Sequence, residues 1–267
     1  MKRSLLILFF SVISFAASAT EGELLASPRA SQRPANAPRE AEIGGIVAVG
    51  PGYLGGQNSM FMAGPYIEIN FGNGVFFGQD GIGFRTSNYG SFSFAASLGA
   101  SRSRREQDGS ADNHNRLSGM GDVSPRAQAN LFGNYDSGPY HMSAWLQREL
   151  GNRSGVEFQL AGLYDVVSSG NDLAQLYAGL DYANQAKMQT FFGVTTSQSA
   201  SSGNTIFTPE AGVAGSGVGV LWRHAFNRNW VGTLDVGAIS LRGSAADSPL
   251  TARKTNGYTV VSVGYRF

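Results

Sequence analysis

From Glu42 onward the chain repeats one pattern. Segments of about ten residues alternate in polarity and are separated by clusters of Gly, Asn, Asp and Ser. In residues 156–166, Val156, Phe158, Leu160, Gly162, Tyr164 and Val166 share one face; Glu157, Gln159, Ala161, Leu163 and Asp165 share the other. Leu176, Ala178, Leu180 and Tyr182 oppose Gln175, Tyr177, Gly179 and Asp181 in the same way, and Pro65, Ile67, Ile69 and Phe71 oppose Tyr66, Glu68 and Asn70. A period of two belongs to strands, because successive side chains of a strand point to opposite faces. No uninterrupted apolar run reaches the ~18 residues of a spanning helix, so helical membrane spans are excluded.

Such alternation fits a soluble sandwich, with its apolar face in a core, or a transmembrane β-barrel, with its apolar face in lipid. Three features select the barrel. The segments approach the ~9–11 residues of a tilted spanning strand, whereas ordinary strands cluster near 5–6. Aromatics collect at segment ends (Tyr53, Phe61, Phe71, Tyr140, Tyr182, Trp230, Phe267), as an interfacial girdle requires. An export signal is also present. Lys2 and Arg3 precede an apolar run from Leu5 to Ala16, and Ala17-Ser18-Ala19 reads as a cleavage site, so residues 1–19 are expected to be a cleaved signal peptide. Residues 20–41, with Pro28, Pro34 and Pro38, read as a flexible periplasmic segment. Residues 42–267 read as the outer-membrane barrel.

Composition narrows the functions available. Charged residues make up 15%, against roughly 25% in soluble domains. A net charge of +1 gives no polyanion-binding surface, so no nucleic-acid partner is expected. The chain has no cysteine, which excludes thiolate metal sites, cysteine nucleophiles and disulfide scaffolds.

Twelve strands are expected, near residues 42–52, 61–71, 75–85, 91–101, 122–134, 140–150, 155–168, 173–183, 187–197, 211–226, 230–241 and 256–267; ten is the alternative. With both ends periplasmic, this count puts the short connections 72–74, 151–154, 184–186 and 227–229 on the periplasmic side and the long 198–210 and 242–255 outside. The connection 102–121 breaks the rule, being long yet periplasmic. Either the count is off by one strand on each side of it, or this polar loop docks a periplasmic partner. The last segment alternates Val261, Val263, Tyr265 and Phe267 against Ser262, Gly264 and Arg266. Its final aromatic resembles the assembly signal of Gram-negative outer-membrane barrels.

Several strings occur in a telling order. Pro51-Gly52-Tyr53-Leu54-Gly55-Gly56 follows the first strand, and Ser118-Gly119-Met120-Gly121-Asp122 opens the fifth. Phe191-Phe192-Gly193-Val194-Thr195-Thr196 leads into a long loop, Ala246-Asp247-Ser248-Pro249-Leu250-Thr251 precedes the closing strand, and Tyr265-Arg266-Phe267 ends it. Together they resemble the MipA/OmpV family, the MltA-interacting outer-membrane proteins of Gram-negative bacteria. The resemblance covers essentially the whole mature chain. It implies a barrel in outer-membrane lipid that serves as a scaffold joining a lytic transglycosylase to a murein synthase; other members are described as porin-like or adhesive. It carries over no catalytic, cofactor-binding or metal-binding residue, and none is assigned.

Side-chain chemistry gives the same reading. The histidines His114, His141 and His224 have no metal-ligand spacing. His114 reads as a solvated loop residue and His224, beside Trp222 and Phe226, as an interfacial one. His141 and Ser143 share a strand face, so an imidazole could activate a hydroxyl there, with Glu149 or Glu157 as orienting group. This pair resembles that of lipid A deacylases, but the surrounding sequence does not match, and a non-enzymatic barrel is expected. Glu68, Glu157, Asp165, Asp181, Arg223, Asp235 and Arg266 are expected in the lumen, lining a pore or forming an ion-pair plug. For a twelve-stranded barrel, a narrow or plugged lumen is expected.

Overall fold

The alternating segments pair as twelve antiparallel strands: β1 (Glu40–Pro51), β2 (Ser59–Asn70), β3 (Val75–Gly78), β4 (Gly81–Arg85), β5 (Phe92–Ala100), β6 (Ala127–Ser137), β7 (Tyr140–Glu149), β8 (Val156–Ser169), β9 (Asp172–Ala183), β10 (Gly212–Ala225), β11 (Trp230–Leu241) and β12 (Thr255–Arg266). Each strand pairs with its sequence neighbours, and β1 pairs with β12 from Glu42↔Arg266 to Val49↔Thr259. That register closes the sheet into a barrel. The structure, a computed structural model, describes residues 38–86, 88–152 and 154–267. The expected signal peptide and most of the expected 20–41 segment lie outside the described residues.

The outer face is apolar and exposed, with Val47, Phe94, Leu131, Leu160, Leu180, Val218 and Val261 standing on it. Alternate residues turn inward and are buried, among them Glu42, Asn130, Trp145, Gln159, Tyr177 and Asp235. This inversion, polar groups inside and Leu and Val outside, is what a lipid solvent demands. Aromatic rings cluster on the outside at the end of the barrel that carries Glu40 and Phe267. Phe92 lies 4.9 Å from Tyr135, Tyr140 lies 5.2 Å from Tyr164, Trp230 lies 5.1 Å from Tyr265, and Tyr265 lies 4.9 Å from Phe267. This is one girdle of the expected pair. Tyr53, expected in a girdle, is instead 3% exposed and packs with Leu117, Met120, Val194 and Leu250.

Two departures from the expected strands cancel in the count. Residues 75–85 are a hairpin, β3 and β4, turning at Gln79-Asp80. Gly81 makes that turn possible: its φ is +90°, and a Cβ there would lie 2.0 Å from the Leu98 carbonyl oxygen. The segment 187–197 is not a strand. It holds α1 (Gln185–Phe192), capped by Asn184, whose side chain accepts from Lys187 N–H, and the start of α2 (Thr196–Ser202), capped by Thr195 with Gln198 closing a capping box.

The hairpin resolves the parity of the loops. Connections 71–74, 86–91, 138–139, 170–171 and 226–229 all lie at the Glu40 end and are short. Connections 52–58, 101–126, 184–211 and 242–254 lie at the opposite end with 79–80 and 150–155. The long polar loop 102–121 therefore lies opposite the Glu40 end, as expected if the count is off by one strand on each side of it. The turns 151–154 and 184–186, expected with the short set, also move to the loop end.

The short hairpin leaves a step in the wall. β3 pairs with β2 only at Ile69↔Phe77 and Asn70↔Phe76. Phe71 N–H donates to Val75, so the odd-numbered N–H groups of β2 point to that side. From Ile67 back toward Ser59 they meet no strand among the described residues. Pro65 falls among these positions and has no N–H to leave unpaired, which suits an open edge.

Candidate functional site

Inward-facing side chains pair with one another at several levels of the lumen. At the Glu40 end, Glu42 accepts from the Tyr66 hydroxyl at 2.7 Å and from Arg266 Nε at 2.9 Å, with Arg223 Nη2 at 3.4 Å. Midway, Tyr177 donates to Asp235 at 2.6 Å and meets the Tyr258 hydroxyl. Gly237 makes room for these rings, since a Cβ on it would stand 2.6 Å from the Tyr258 hydroxyl oxygen. Beside them Trp145 stacks on Phe132 at 5.5 Å, and the Arg85 guanidinium lies 4.9 Å from the Phe76 ring centre. Trp145, Phe132 and Phe76 form one buried cluster with Ala95.

At the opposite end the connections fold over the mouth. Helix α1 packs Met188 and Phe192 against Ala183, Leu241, Ala245 and Ala246, the last two in the short helix α3 (Gly243–Ala246). Its buried Lys187 reaches strand carboxylates, with Nζ 3.0 Å from Glu149 and 3.5 Å from Glu157. Arg102, at the root of the 101–126 loop, also pairs with Glu157. Both cations flank the Phe191 ring, at 4.9 Å for Lys187 and 5.9 Å for Arg102. Arg104 donates to the Phe191 carbonyl at 2.6 Å. Asp112 joins the loops by accepting from the backbone N–H groups of Gln57 and Asn58, at 2.9 and 2.7 Å. The result is a lid of several chain segments keyed into the barrel by buried ion pairs.

Beneath the lid lies a small, partly open cavity. Met188, Phe191, Phe192, Ala214, Ile239 and Leu241 give it an apolar wall; Arg102, Glu157, Lys187 and Asp181 reach its polar side.

Compared with known families, residues 43–267 match the model of MltA-interacting protein MipA. The chain belongs to the MipA family. No curated protein gives a significant match. Among solved structures this MipA-family barrel is similar to an outer membrane channel from Pseudomonas putida F1 (10% identity, 92% of this chain and 98% of that one, TM-score 0.39). It is also similar to the KdgM porin (9%, 86% and 99%, TM-score 0.39) and to an anion-selective porin from Comamonas acidovorans (9%, 86% and 99%, TM-score 0.37).

The lumenal charges expected in this MipA-family chain do face inward, but in separate groups. Glu157 and Asp181 stand at the lidded mouth, Asp235 midway, and Arg223 and Arg266 on Glu42 at the other end. Glu68 accepts from Gln79 N–H at 3.0 Å and so seats the β3–β4 turn. Asp165 accepts from Gln175 at 2.7 Å. The histidines serve carboxylates. His141 Nδ1 is 2.7 Å from Asp136, and its Nε2 lies 3.2 Å from Asp165, an ion-pair distance without hydrogen-bond alignment. His141 thus faces carboxylates through both nitrogens, not Ser143. Glu149 and Glu157 cannot orient it: they sit at the lidded end, and Glu149 is eight residues up the same strand, roughly 26 Å away. His224 has its expected aromatic neighbours, Trp222 and Phe226, with Nδ1 2.8 Å from Asp172. His114 is exposed in its loop.

Arg102, Lys187, Glu149 and Phe191 were not expected at a common site. The local signal available was Asn184, an N-cap residue followed by Gln185, Ala186, Lys187 and Met188, all good helix formers.

Proposed function

We propose that this MipA-family barrel is a non-conducting scaffold that holds a lytic transglycosylase of the MltA type, and beside it a murein synthase, at the periplasmic face of the outer membrane. The observation that carries this reading is the lid folded over one mouth, above inward-facing side chains that pair with one another. Inward side chains of strands three apart around the wall meet at Glu42–Arg223 and at Tyr177–Tyr258, and the lid reaches the wall at Lys187–Glu149, which supports a functional surface outside the bore. The Glu40 end, with its short turns, is the periplasmic one by the usual rule for such barrels. Its exposed arginines Arg39 and Arg228 offer charges for rim contacts with a protein partner.

The test uses the full chain in lipid nanodiscs. Immobilised protein should capture a purified lytic transglycosylase and then a murein synthase, and Arg228→Glu should slow the first association. In planar bilayers the same protein should give no discrete conductance steps. Conductance steps without enzyme capture would replace the scaffold reading with the porin-like one.

A further inference from the structure

The cavity under the lid holds one carboxylate with no ion-pair partner among the described residues, Asp181. Lys187 is shared between Glu149 and Glu157, and Arg102 is committed to Glu157. Asp181 accepts one hydrogen bond, 2.5 Å from Gln159 Nε2, and no cation lies within ion-pair distance of it among the described residues. Its other oxygen points past Gly215, where even an added Cβ would stand 3.4 Å away, so it is reachable from the cavity. The charged groups lining the cavity are two cations, Arg102 and Lys187, and two carboxylates, Glu157 and Asp181, of which Asp181 alone makes no ion pair among the described residues. Opposite them the wall is hydrocarbon: Met188, Phe192, Ala214, Ile239 and Leu241. A mainly apolar lining with a few placed polar groups is the usual lining of a small-molecule site.

We propose that this cavity binds a small amphiphile with an apolar body and a single protonated amine, the amine seated on Asp181 and the body against Met188 and Leu241. Charge complementarity selects the head group. An ammonium completes the unpaired carboxylate, an alcohol can only hydrogen-bond to it, and a carboxylate is repelled by Asp181 and Glu157. The apolar wall selects the body, because an extended polar ligand would leave its own groups unpaired against hydrocarbon.

The full-length protein in nanodiscs, labelled at its methionine methyl groups, provides the test, since Met188 lines the cavity. Titration with hexylamine should move the Met188 methyl signal saturably. Hexanol should do so at about tenfold or more higher concentration, and hexanoate should not move it over the same range. Asp181→Asn should bring hexylamine down to hexanol's affinity while leaving hexanol unchanged. Ala214→Leu, which fills the cavity from its apolar side, should abolish the shift with every probe and serves as the second variant if Asp181→Asn fails to assemble. The proposal is overturned if hexanoate matches hexylamine, if Asp181→Asn keeps the amine preference, or if no probe moves Met188.

Discussion

Lys187→Met should unlock the lid without unfolding the barrel. The lysine side chain is 5% exposed and its partner Glu149 is 1% exposed, so the pair is out of water. Methionine keeps the length and apolar stem of the side chain but, among the described residues, leaves Glu149 with no cation and Glu157 with Arg102 alone. Removing one member of a buried pair costs about 3–5 kcal/mol, because the stranded charge remains desolvated. Even the lower value raises the population with α1 undocked about 100-fold. Proteinase K cutting within residues 184–211 reads that population when reclosing outruns cleavage. Lys187→Met should be nicked about two orders of magnitude faster than wild type, while the barrel keeps its heat-modifiable mobility on gels. The double variant Lys187→Met, Glu149→Gln removes the stranded charge and should recover most of the protection. Nicking of Lys187→Met at the wild-type rate, or a double variant no better than the single one, would refute the ion-pair latch.

Other expectations follow from the same geometry. An epitope inserted at the exposed His114 should be labelled on intact cells, because loop 101–126 lies opposite the Glu40 end; protection until the outer membrane is permeabilised would reverse the orientation. Leu131→Arg, on the lipid face and 56% exposed, should destabilise the barrel by ~2–4 kcal/mol in denaturant titrations in bilayers if it lies near mid-membrane. Phe267→Ala loses the edge contact with Tyr265 and should slow assembly into vesicles, at a cost of about 1 kcal/mol. Burial, reinforced by the charge and hydrogen bond of Asp112, raises the Tyr53 hydroxyl above its ordinary value, so the folded lid favours the neutral phenol. That contribution is complete below the unfolded value of about 10 and is lost as pH climbs through the higher folded value. Lid proteolysis should therefore accelerate in strongly alkaline buffer, and Tyr53→Phe should remove that dependence.

The wall of the barrel was legible because it depends on a local rule. Lipid outside and polar contacts inside impose a period of two on every strand, and Glu157, Asp181, Asp235 and Arg266 could be assigned to the lumen from alternation alone. Two stretches broke the rule. In 75–85 the Gly78-Gln79-Asp80-Gly81 turn interrupts a run short enough to pass for one strand, and its requirement for positive φ at Gly81 is a property of the backbone rather than of hydropathy. In 187–197 the apolar Met188, Phe191 and Phe192 mimic strand residues, although their spacing of three and four is helical. The two errors were opposite in sign, so the total of twelve survived while every connection between them changed sides.

The lidded mouth was not legible for a different reason. Its contacts join positions far apart in the chain: Arg102 to Glu157 across 55 residues, Lys187 to Glu149 across 38, Arg104 to Phe191 across 87. No periodicity encodes such pairs; they exist only because the β3–β4 hairpin sends loop 101–126 to the same end as α1. The sidedness of a barrel loop is thus a global quantity, changed by one missed turn anywhere upstream. Side-chain facing is local and survives such an error. This is why Asp181 could be assigned to the lumen from sequence, whereas its position beside Arg102, Lys187 and an apolar cavity required the structure.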